Sequence, residues 1–127
     1  MSYVRRVTVT VTTDASGAAT VYSDLVEHGL LSQIRYVKAV SNGFDAGVDF
    51  TLTAEATGET LWSELNVDAD ATRAPRQATH SPAGVAALYA AAGTAVNDKI
   101  ALANDRVKIV IAAGGAVKTG TFHLILE

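Results

Sequence analysis

Cysteine is absent from the 127 residues, which excludes a disulfide framework, a thiolate nucleophile and a cysteine-based zinc site. A chain of this length can bury a core without such staples. Aromatic residues make up only 6% against a hydrophobic fraction of 49%. Much of that fraction is alanine, so the expected core is light and built from Val, Ile, Leu and a few rings. Charge of one sign is also scarce. The net charge is −3, and the cations stand singly rather than in the clusters by which nucleic-acid binders neutralise phosphates. Neither a nucleic acid nor a membrane is an expected partner. The longest mostly apolar stretch, Ala83 to Val96, is interrupted by Gly84, Gly93 and Thr94 and falls short of the roughly 20 residues a bilayer requires. The opening Met1-Ser2-Tyr3-Val4-Arg5-Arg6 passes into alternating Val and Thr rather than an unbroken apolar run, so no export signal is expected.

What the chain does contain is period-2 alternation. Val7, Val9 and Val11 alternate with Thr8, Thr10 and Thr12, and Asp14-Ala15-Ser16-Gly17 follows as a turn. With Ala18 to Ser23 this predicts an N-terminal hairpin, and Leu25 to Gly29 a short connection. Leu30 to Val40 is predicted to be a central strand, with Leu31, Gln33, Arg35, Val37 and Ala39 on one face and Leu30, Ile34, Tyr36 and Val40 on the other. Both faces are partly apolar, which predicts self-association into dimers or trimers that covers the outer one. Val48 to Ala54 and Thr60 to Val67 continue the alternation, Trp62 facing outward or a second sheet. Lys99 to Leu102 is a further short strand. Val107, Ile109 and Ile111, the pair Gly114-Gly115 and Thr119 to Leu126 predict a closing hairpin. The sum is a single mainly β domain over residues 1–127. It is an antiparallel β-sandwich or jelly-roll-like barrel of seven to eight short strands.

Residues 68–82, DADATRAPRQATHSP, are polar, hold both prolines and break the alternation. They predict an extended loop or arm, and ordered domains rarely keep such a loop without a use for it. Arg73 and Arg76 flank Pro75 there, where guanidinium forks can engage a neighbouring subunit's carboxylates. Ser81-Pro82 followed by Val85, Leu88, Tyr89 and Ala92 at helical spacing predicts one short helix ending at Gly93. The apolar residues Leu88 and Tyr89 are its candidate contact points.

No reaction centre assembles from these residues. Asp68-x-Asp70-x-Thr72 has the spacing of a phosphotransferase nucleophile loop. That chemistry, however, needs a larger parallel α/β domain, which this pattern lacks. Two carboxylates are too few for a calcium loop. His28, His80 and His123 show no zinc spacing, and no Gly-x-Ser-x-Gly elbow accompanies His80-Ser81. Gly114-Gly115 lies between strands, not ahead of a helix where it would cradle phosphate. The expectation is a non-enzymatic protein with no catalytic residues, no cofactor and no metal.

Phe44-Asp45-Ala46-Gly47-Val48-Asp49-Phe50, Ala54-Glu55-Ala56-Thr57-Gly58-Glu59, Arg73-Ala74-Pro75-Arg76 and Ala112-Ala113-Gly114-Gly115 with Lys118-Thr119-Gly120-Thr121 together resemble small virion proteins of tailed bacteriophages. The likeness spans most of the chain. It implies a capsid decoration or cement protein, or a minor capsid protein, bound between subunits of the major capsid protein. Such a protein sits on the capsid surface of the virion and is assembled in the bacterial host cytoplasm. Under this reading Arg73, Pro75, Arg76, Leu88 and Tyr89 form the capsid or subunit interface. Two alternatives share the same module. One is a phage neck or tail component; the other is a carbohydrate-binding β-sandwich using Trp62 with Tyr22, Tyr36 or Tyr89 as an aromatic platform.

Overall fold

The structure, a computed structural model, describes residues 4–127; Met1, Ser2 and Tyr3, on which the expectation of no export signal partly falls, lie outside them. Ten strands run in chain order: β1 (Arg5–Thr12), β2 (Ala19–Tyr22), β3 (Val26–Lys38), β4 (Asp49–Ala54), β5 (Thr60–Glu64), β6 (Ala71–Arg73), β7 (Arg76–Ala78), β8 (Asn97–Asp105), β9 (Val107–Ala112) and β10 (Thr119–Leu126). One sheet has the order β1-β10-β3-β8-β7, with β6 also paired to β3, and the other has the order β2-β9-β4-β5. Every ladder between these strands is antiparallel. The result is a mainly β sandwich, with two strands more than the upper expectation because residues 68–82 themselves contribute β6 and β7.

Alternation places the core. Val9 and Val11 on β1, Phe122, Leu124 and Leu126 on β10, Val107, Ile109 and Ile111 on β9, and Phe50, Leu52 and Ala54 on β4 are all buried. They face one another across the two sheets, and each large side chain so enclosed contributes about 1.5–3 kcal/mol. The few rings of the chain are concentrated there. Phe50 lies edge-on to Tyr36 at 4.7 Å, to Phe122 at 5.0 Å and to Trp62 at 5.3 Å between centroids, the arrangement favoured by opposed ring quadrupoles. Tyr36 stacks on Phe44 beside Gly120, where a Cβ would come within 2.6 Å of the Phe44 ring.

Both predicted hairpins are instead arches between the sheets. β1 pairs with β10 in one sheet while β2 pairs with β9 in the other, so each glycine-containing turn carries the chain across the core. The physical reason is burial. As a hairpin, β9 and β10 would set Val107, Ile109, Ile111, Phe122, Leu124 and Leu126 on one face with nothing opposite; as an arch they provide both walls. Positive φ at Ala113, Gly115 and Val117 turns the chain over the longer path this requires.

Other boundaries shift for local reasons. β3 begins at Val26, not Leu30, and extends the centre of its sheet. Its buried residues are Val26, Leu31, Ile34 and Tyr36, and a register shift opposite Ile125/Leu126 moves Leu31 onto the face of Ile34. A second shift at Leu52/Thr53 lets Leu61 and Trp62, adjacent in sequence, both be buried. β8 is longer than Lys99 to Leu102. The predicted helix after Ser81 is absent: the described residues contain no helix. Ser81 Oγ accepts the N–H groups of Ala83 and Val85 in a turn, and residues 79–96 double back twice through the bridges His80↔Ala86 and Leu88↔Ala95. An Ala- and Gly-rich segment has too little side chain to bury one helical face, whereas β7 and β8 offer it a ladder to continue.

Candidate functional site

Thr79 and Val96 prolong the β7–β8 ladder. Thr79 donates both its amide N–H, at 2.9 Å, and its Oγ1, at 2.8 Å, to the Val96 carbonyl. Between them the chain forms a small meander. Ala87 donates to Thr79 O at 3.0 Å, Val96 donates to Ala87 O at 2.9 Å, and Tyr89 donates to Thr94 O at 3.0 Å. Turns at Ser81–Val85 and Ala90–Gly93 close its two ends, with positive φ at Gly84 and Ala92. The meander is an arm standing off the sandwich. Val85, Leu88 and Tyr89 are 66%, 42% and 75% exposed; on the sheets, Leu30 of β3 and Tyr22 of β2 are open to about the same degree as Leu88. No Lys, Arg, Asp or Glu occurs from Gln77 to Asn97.

The arm therefore lies at 79–96, displaced from the predicted 68–82. Most of that earlier segment is strapped to β3. Asp70 Oδ1 accepts the Lys38 amide at 2.7 Å, Lys38 Nζ donates to the Asp68 carbonyl at 2.9 Å, and Arg35 Nη1 donates to Thr72 Oγ1 at 3.1 Å. Arg35 also pairs with Asp70 at 3.6 Å. In this structure Asp68, Asp70 and Thr72 thus serve as fasteners to the sheet.

The five sequence-predicted contact residues divide into two groups. Arg73, on β6, forms a two-pronged ion pair with Glu64, Nε to Oε1 and Nη2 to Oε2 each at 2.8 Å, and its guanidinium lies 5.4 Å from the Trp62 ring centroid. That hydrogen bond holds the Glu64 carboxyl below the usual carboxylate range and raises Arg73. Arg73 is thus a framework residue, contrary to the expectation of a cation free for a partner. Pro75 makes the step from β6 to β7, and Arg76 beyond it donates to the carbonyls of Ser32 and Pro75 at 3.0 and 2.8 Å. Leu88 and Tyr89 sit on the meander itself. Val85, placed by its spacing on the expected helix but not among the contact points, is the third exposed apolar residue of the arm; the uncharged run from Gln77 to Asn97 is the signal that marks it.

The aromatic platform does not form. Trp62 is buried beneath Arg73 and Phe50, and Tyr36 is fully enclosed. Tyr22 is covered by the Arg106 guanidinium, 4.0 Å from its ring centroid, and Arg106 is in turn paired with Glu55. Tyr22 is still 40% exposed at the end of β2 and Tyr89 stands open on the arm, so the two exposed rings lie on separate elements. The buried polar groups are likewise structural. Asp105 Oδ1 accepts the amides of Ala56 and Arg106, and Ser23 Oγ accepts the Val107 amide. The Tyr36 hydroxyl is buried without a partner, and burial with the charges of Asp70 and Asp68 pushes its pKa up to about 12.

No protein-family model matches the chain, and no curated protein does. The solved structure of FLHE aligns over 99% of this chain and 99% of its own, with a TM-score of 0.48 and 8% identity. It assigns neither family nor activity here.

Proposed function

We propose that this chain is a non-enzymatic structural component of a tailed-phage particle, decorating the shell by laying its arm between subunits of the major capsid protein. The observation that supports this most is the 79–96 meander. It is an ordered, hydrogen-bonded projection that exposes Val85, Leu88 and Tyr89 and carries no formal charge over its length. Apolar groups held out on a rigid support lose little conformational freedom when they dock. Contacts of modest strength repeated over a symmetric shell add up to firm attachment. Arg76 at the base of the arm is its polar margin, set there by the step at Pro75, while Arg73 stiffens that base through Glu64.

Co-sedimentation with assembled capsid shells tests the reading. The unmodified chain should pellet with the shells, and the double variant Leu88→Ser, Tyr89→Ser should remain in the supernatant while keeping its melting temperature. Equal pelleting of the two proteins would remove the arm from the account.

A further inference from the structure

The sandwich has sheet edges that differ in how they are finished. β2 is four residues long, β6 and β7 are three each, and β5 is five, with a register shift against β4. Short or irregular edges resist pairing with another chain. β1 is different: eight residues, in unbroken register with β10 from Arg5↔Leu126 to Thr12↔Thr119, without proline or bulge.

The ladder fixes which of its groups face outward. Thr13 N–H donates to Lys118 O at 2.9 Å, so the odd residues Val11, Val9, Val7 and Arg5 bond to β10, and the amides of Arg6, Thr8, Thr10 and Thr12 point to the open side. Arg5 does not guard that side, because its guanidinium turns inward across the sheet to the His28 carbonyl. Val9 and Val11 are closed, whereas Val7, nearer the open end, is only half-buried.

We infer that β1 pairs antiparallel with β1 of a second copy of this chain, joining the two larger sheets across a two-fold axis at Val9. In this register Thr8 lies opposite Thr10 of the partner subunit, Arg6 opposite the partner's Thr12, and Val7 opposite the partner's Val11. The outward amides of Arg6, Thr8, Thr10 and Thr12 are all satisfied. Cross-strand Thr pairs are favourable on such a surface, the apolar inner row continues from one chain into the next, and Val7 gains its missing cover. Sliding by one pair, so that Thr8 met Thr8, would set Arg5 against Val11 on the inner face and bury a charge beside the core. A parallel arrangement would bring the arginines of the two chains together. The two-fold antiparallel register avoids both.

Analytical ultracentrifugation of the full chain at tens of micromolar tests this. The unmodified protein should sediment as a dimer, twice the 13.2 kDa chain mass. Thr8→Lys with Thr10→Lys sets like charges directly opposite each other and should give a monomer. Thr8→Lys with Thr10→Glu sets opposite charges face to face in this register alone and should restore the dimer. A monomeric or trimeric unmodified chain, a dimer indifferent to the two lysines, or a Lys/Glu variant that stays monomeric would each overturn the assignment.

Discussion

Gly17 and Gly115 meet backbone to backbone where the two arches cross the end of the sandwich. A Cβ on Gly17 would lie 2.8 Å from the Gly115 amide nitrogen, and Gly114 donates its N–H to the Gly17 carbonyl at 2.9 Å. Thr13 Oγ1 locks the same junction, donating to Gly115 O at 2.6 Å and accepting from Lys118 N–H at 2.8 Å. The φ of +81° at Gly17 adds strain to the steric conflict. Gly17→Ala is therefore expected to cost about 1–3 kcal/mol in denaturant unfolding. A stability change near zero would mean that the arches do not support each other.

Arg73 and Arg76, three positions apart with Pro75 between them, should separate cleanly. Removing Arg73 leaves Glu64 without its fork and Trp62 without its cover, so Arg73→Ala should lose about 0.5–1 kcal/mol, the scale of a well-formed surface pair. The pair's contribution has a defined pH window. Glu64 is held below its ordinary value of 4.5 by Arg73. The stabilisation is therefore complete above that value and disappears as pH falls through the lowered one. Urea midpoints of the two proteins should differ at pH 7 and converge as pH falls below 4.5 and through the lowered value. Arg76→Ala, which loses only bonds to exposed carbonyls, should stay within about 0.5 kcal/mol of the unmodified chain.

The Tyr36 hydroxyl predicts an alkaline transition. Its pKa is raised to about 12 from 10.0, so the fold favours the neutral phenol. Its stabilisation is intact below pH 10 and is lost as pH rises toward 12. Tyr36→Phe deletes an unpartnered buried oxygen without changing the ring packing. It should match or exceed the parent by up to about 1 kcal/mol at pH 7, and its advantage should grow between pH 10 and pH 12. A clear loss of stability at neutral pH would show that the hydroxyl has a partner.

Trp62 reports on the competing sugar-binding reading. Enclosed by Phe50 and Phe122 and capped by Arg73, it should emit at short wavelength, resist acrylamide quenching and stay flat across a panel of sugars. Sugar-dependent quenching would require a face that the buried indole does not present.

Period-2 alternation made the mainly β sandwich legible: Val7 to Val11, Val107 to Ile111 and Phe122 to Leu126 are strands whose apolar side faces in. Which strands pair was not legible. Gly114-Gly115 looks the same at the tip of a hairpin and at a crossing between sheets, and only the need to oppose two apolar faces decides between them. The arm was half legible. Leu88 and Tyr89 are exposed, but their helical spacing is a coincidence in a segment too poor in side chains to bury a helix. Arg73 misled because a fork suited to a partner's carboxylate is equally suited to Glu64.

The central claim is that this module belongs to a phage particle, and quantitative mass spectrometry of purified virions tests it most directly. The account predicts a copy number approaching that of the major capsid protein, as expected for decoration of the whole shell. A few to a dozen copies would move the chain to the neck, vertex or tail, and its absence from the particle would contradict the account.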